Sequence, residues 1–76
     1  MSREARPGLF VYGELTKRQK EVLLLSAKGF SRKEIAVKLF VSVETIKAHQ
    51  RSIRQRLDAK TTTEAVAIAL RKGLIT

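Results

Sequence analysis

The stretch SVETIKAHQRSIRQRL, Ser42 to Leu57, sets Lys47, Arg51, Arg54 and Arg56 against a single acid, Glu44. Ammonium and guanidinium groups at that density suit one chemistry, donation to the oxygens of a polyanion. At helical spacing, roughly 100° per residue, Ile46, Ile53 and Leu57 fall in a narrow arc, flanked by His49 and Gln50. Lys47, Ala48, Arg51, Glu44 and Gln55 gather on the opposite side. The apolar arc faces a core and so holds the basic side outward. On such a face Lys and Arg match guanine O6 and N7 in a major groove, and the small Ala48 allows close approach and a methyl contact with thymine. A solvated helix tends instead to interleave Glu with Lys four residues apart. Here the one acid lies in the first turn, where it complements the helix dipole.

The rest of the chain is suited to binding rather than catalysis. Seventy-six residues make one domain with a modest core, too small for a cleft between lobes. There is no cysteine and His49 is the only histidine, so a disulfide, a thiolate metal site and an imidazole cluster within one chain are excluded. No nucleophile and base pair, no paired carboxylates and no glycine-rich phosphate loop are present, so the chain is not expected to be an enzyme or to carry a cofactor. Sixteen Lys and Arg against seven Asp and Glu give a net charge of +9 on 8.6 kDa, a field that draws anionic partners without naming them. No apolar run approaches the ~20 residues of a membrane span, and the N-terminus lacks a signal-peptide core, which makes the cytoplasm the expected compartment.

Four helices must position the basic face. Residues 1–14 read as an N-terminal arm or linker end, polar with a Pro-Gly break and a small apolar patch, Leu9 to Tyr12, expected to dock on its own domain. Thr16 caps a first helix over about 17–28 that Gly29 stops, with Val22 to Leu25 and Ala27 as its apolar stripe. Ser31 and Glu34 form the S-x-x-E capping pattern of a short second helix, whose inward face is Ile35, Ala36 and Leu39. The link LFVS ends in Ser42, the cap of the third helix, and its brevity keeps helices two and three adjacent at a steep angle. After a polar break, Thr63 or Thr62 caps a fourth helix that runs to Gly73.

Two helices joined by a tight turn, the second with a basic outer face, make a helix-turn-helix reader of duplex DNA. Ala36 is the small residue expected near the turn, while Phe40 stands where a glycine is frequent. Helix four is apolar around more of its circumference than one core contact needs, because Val66, Ile68 and Leu70 point in different directions. A second buried face is expected there, most simply in a two-fold dimer.

Three motifs in order then carry a family resemblance: L-T-x-R-x-x-E-V-L at Leu15 to Leu23, G-x-S-x-K-E-I-A at Gly29 to Ala36, and T-[VI]-K-x-H at Thr45 to His49. Together they resemble the LuxR-type helix-turn-helix domain, also called the GerE or NarL/FixJ effector domain, of bacterial transcription regulators, over Leu15 to Ile75. The resemblance implies an all-α, compact four-helix domain over 15–76 that binds double-stranded DNA, with 43–57 as recognition helix in the major groove. It implies base readout by Lys47, Ala48 and Arg51, and phosphate contacts from Lys33, Ser42, Thr45, His49, Arg54 and Lys60. It also implies a homodimer through the fourth helix at Val66, Ile68 and Leu70, and RNA polymerase as a further partner. The chain would be either a stand-alone regulator or the effector domain of a larger one.

Three residues depart from the family pattern. Gln19 stands where Glu is usual and Thr62 where a basic residue often precedes the last helix, which argues against an ion-pair network there. Arg32, where Asn is common, is expected to add charge near the DNA. A membrane-lying helix or a single-strand RNA reader would want exposed aromatics, and helix three has none.

Overall fold

The computed structural model describes residues 15–76; the arm and its Leu9 to Tyr12 patch lie outside the described residues. Among the described residues there are four helices and no strand: α1 (Lys17–Ala27), α2 (Arg32–Leu39), α3 (Val43–Leu57) and α4 (Thr62–Arg71).

Each helix starts on a hydroxyl residue whose side chain accepts a backbone N–H three positions on. Thr16, Ser31, Ser42 and Thr61 do this for Gln19, Glu34, Thr45 and Glu64. In α1 and α2 the reciprocal bond completes a capping box, from the Thr16 N–H to Gln19 Oε1 at 2.9 Å and from the Ser31 N–H to Glu34 Oε1 at 2.8 Å. The fourth helix is capped by Thr61 rather than Thr62 or Thr63, because only Thr61 has an acid three residues on that holds the entry, Glu64 Oε1 accepting from the Lys60 N–H at 2.7 Å.

The helices end alike. Each runs into a residue of positive φ, Gly29 (+94°), Phe40 (+59°), Asp58 (+55°) or Gly73 (+72°). Behind it an N–H returns five residues to a carbonyl of the last turn: Phe30 to Leu25, Val41 to Ala36, Ala59 to Arg54 and Leu74 to Ala69. Glycine takes this conformation freely, whereas Phe40 does so at a steric cost of about 1–2 kcal/mol. The turn expected to want glycine therefore has the left-handed backbone without the residue that suits it.

Helices α1 and α3 each pack on the three others, while α2 and α4 touch only that central pair. The core is aliphatic: Val22 and Leu23 of α1, Ile35 and Ala36 of α2, Ile46, Ile53 and Leu57 of α3, Ala65 and Ala69 of α4, sealed by Leu15 and Ile75. Ala27 is exposed, so the inward stripe of α1 ends short of it. The small Ala65 and Ala69 bring α4 close to the central pair. They are core residues and not merely good helix formers.

Candidate nucleic-acid interface

Helix α3 is held by Ile46, Ile53 and Leu57, all buried, as the arc predicts. Gln50, read as a flank, is itself buried at 5% exposure and belongs to the packed side. Its amide is satisfied at both ends: Oε1 accepts from Arg32 Nε at 2.7 Å and Nε2 donates to Ser26 Oγ at 3.1 Å. Ser26 in turn donates to the Val22 carbonyl at 2.9 Å. One polar chain thus ties α2, α3 and α1 together, as a buried amide requires. Arg32 is exposed, and its Nε helps to fix α2 against α3 through this chain.

A second tie joins α1 to α3. Gln19 is buried at 6% exposure, and its Nε2 donates to Ser52 Oγ at 2.9 Å while its Oε1 closes the α1 capping box. An amide can do both tasks at once, because it has a donor and an acceptor; an ionised carboxylate has no donor to give. The departure at position 19 is therefore accommodated by hydrogen bonds. Sequence periodicity alone would not find Gln19 and Gln50, since polar residues at helical spacing read as outward. The signal is their separation from the serines they reach, which only the packed helices reveal.

With the helix rotated this way, Lys47, Ala48 and Arg51 are all exposed, side by side on the face turned from the core. With Glu44, Ser52 and Gln55 they line one shallow concavity along α3. Lys47 Nζ lies 3.6 Å from Glu44 Oε2, an ion pair at i,i+3 where the spacing of Glu and Lys suggested none. Ser42 is exposed at the start of α3, its Oγ 2.9 Å from Thr45 Oγ1 and accepting the Thr45 N–H at 3.1 Å. Thr45, His49 and Arg54 are half-buried along the flanks of the helix, and Lys33 and Lys60 are exposed on α2 and before α4. The three residues expected to read bases are thus brought together on one helix, while those expected to contact phosphates are spread over three places in the chain. On α4, Val66 and Ile68 pack partly against the core, and Leu70 is 50% exposed.

A family model described as bacterial regulatory proteins, luxR family, matches residues 13–69. The chain belongs to this family. The oxygen regulatory protein NreC of Staphylococcus carnosus (strain TM300) is 52% identical over 61 residues, which are 80% of this chain and 28% of that protein. NreC of Staphylococcus haemolyticus (strain JCSC1435) is 51% identical over the same shares of both. Among solved structures, one described as the transcription factor GerE matches with a TM-score of 0.79 and 29% identity, covering 82% of this chain and 92% of that one. The chain spans 28% of the length of the NreC relatives it matches. It is a LuxR-type DNA-binding domain of the transcription-regulator class, a class of regulators and not of enzymes. No described helix of the LuxR-type domain is long and apolar enough to cross a membrane.

Proposed function

We propose that this LuxR-type domain reads the sequence of duplex DNA by laying α3 in the major groove. One observation carries the reading: α3 buries Ile46, Gln50, Ile53 and Leu57 and, on its far side, exposes Lys47, Ala48 and Arg51. Those three meet base edges, the two cations as donors to guanine and the alanine as a methyl-sized contact. Lys33, Ser42, Thr45, His49, Arg54 and Lys60 hold phosphates and fix the register of the helix without reading sequence. The role is one of binding, with no catalytic step, and its compartment is the cytoplasm.

The half-exposed Leu70, with Val66 one turn before it, supports a two-fold contact between fourth helices, with Ile68 at its edge. A dimer reads two half-sites whose spacing follows from that contact. Control of transcription then runs through RNA polymerase as the further partner.

Selection from a pool of random duplexes, at fixed and stated salt, tests the reading. A recurring motif that competes far better than random duplex, single strands or anionic vesicles is the expected result. Equal competition by all four would overturn it.

A further inference from the structure

Three of the four helices use the residue three positions past the cap to hold the backbone at their own entry. Gln19 and Glu34 accept from the N–H of the cap residue itself, and Glu64 accepts from the N–H just before the cap. Helix α3 departs from this. Its third position is Thr45, whose hydroxyl pairs with Ser42, and its acid stands one residue earlier at Glu44. One residue is about 100° around a helix. That shift takes the carboxylate off the entry and onto the outer face, where Glu44, Ala48, Arg51 and Gln55 follow one another at intervals of four, three and four over about 16 Å of helix. The Glu44 side chain is 82% exposed and pairs with Lys47. The other described acids are placed differently: Glu21 pairs with Arg18, Glu34 and Glu64 serve helix entries, and Asp58 closes α3.

A carboxylate at the reading end of a groove-binding helix is unfavourable against almost everything DNA presents. Phosphates, guanine O6 and N7 and thymine O4 are all acceptors or anions. Two amino donors remain: adenine N6 has the N7 acceptor beside it, which repels a carboxylate and suits an amide, whereas the cytosine N4 amino group is a donor that a carboxylate suits. We infer that Glu44 is a specificity-determining residue: it accepts from a cytosine N4 amino group in the target site and, by pairing with Lys47, withholds that cation from phosphates elsewhere. The inference rests on α3 reading the major groove. On a correct site Glu44 turns to the cytosine and Lys47 is released to its own base; on guanine or thymine the carboxylate faces an acceptor, on adenine it meets the N7 acceptor beside the N6 donor, and discrimination comes from that repulsion as much as from the correct contact.

The experiment is selection from random duplexes with the 76-residue chain and its Glu44→Ala and Glu44→Gln variants, alongside the salt dependence of each on random duplex. For the parent, one half-site position is expected to be cytosine, favoured by about tenfold. Glu44→Ala loses that preference and leaves the other positions unchanged. Glu44→Gln moves it to adenine, whose N6 and N7 an amide matches with two bonds. Both variants bind random duplex more tightly, and the slope of log K against log salt steepens by about 0.9 as Lys47 gains a phosphate. One motif common to all three proteins overturns the role of Glu44 while leaving groove reading intact, also where the variants melt earlier. No motif from the parent overturns groove reading and this role with it.

Discussion

Arg32 Nε on α2 donates to Gln50 Oε1 on α3 at 2.7 Å, and this bond joins the two halves of the helix-turn-helix. The angle between them does not rest on apolar packing alone. Replacing Gln50 by Ala removes the acceptor of Arg32 and the donor to Ser26 together, with an expected loss of about 1–3 kcal/mol. In a double-mutant cycle with Arg32→Ala, followed by urea unfolding, the two changes should couple by about 0.5–2 kcal/mol. Strict additivity would show that the bond contributes nothing to the fold.

Arg51 makes no packing contribution that its exposure would reveal, so Arg51→Ala should leave the melting temperature unchanged. On a selected duplex the same change should weaken binding by about 1–3 kcal/mol, with a smaller loss on random DNA. Gel-shift titrations on the two duplexes measure the difference. Equal losses would make Arg51 a phosphate contact.

Ile53 is 1% exposed at the centre of the opposite face. Its truncation to alanine should destabilise the domain by about 2–5 kcal/mol, read as a lowered midpoint in urea. A parent-like midpoint would mean that α3 is turned about its axis from the orientation described above.

Phe40 combines a left-handed backbone with 93% exposure, so its ring gains little from burial to offset the steric cost. Phe40→Gly should stabilise the domain by about 0.5–1 kcal/mol, the relief of strain exceeding the added freedom of the unfolded chain. A loss of stability in calorimetry would show that the ring supports the turn.

Hydrogen bonds from Ser31, its backbone N–H first and then its hydroxyl, lower the pKa of Glu34; desolvation opposes them, and Lys38 lowers it further. A carboxyl whose pKa is lower when folded stabilises the native state above its unfolded pKa, and this contribution disappears as pH falls through the folded value. Acidification below the ordinary carboxylate range should therefore loosen the entry of α2. Amide exchange at Ser31 follows it, and Glu34→Gln should flatten that pH dependence.

Most helix entries were legible because their determinants lie within three residues: Thr16, Ser31 and Ser42 cap as their neighbours suggest. The start of α4 was harder, since three threonines in a row have the same propensity, and the choice falls to the reach of Glu64 back to Lys60. The buried glutamines were illegible for the opposite reason. Their partners lie 33, 24 and 18 residues away, and no local pattern encodes such a bond. The outer face of α3 was readable because a core arc, once recognised, fixes where everything else on that helix points. The ion pair of Glu44 and Lys47 was not, because the pairing that supports a solvated helix most regularly sets the acid four residues before the base and this pair is three apart.

The two faces of α3 share no residue: Ile46, Gln50, Ile53 and Leu57 are buried, and Lys47, Ala48 and Arg51 are exposed. Under the proposed groove reading, mutation changes the recognised sequence without disturbing the scaffold, and a duplicated copy can drift to a new target while folding as its parent did. Paralogues built this way would diverge fastest at the exposed positions of one helix and slowest on its buried side.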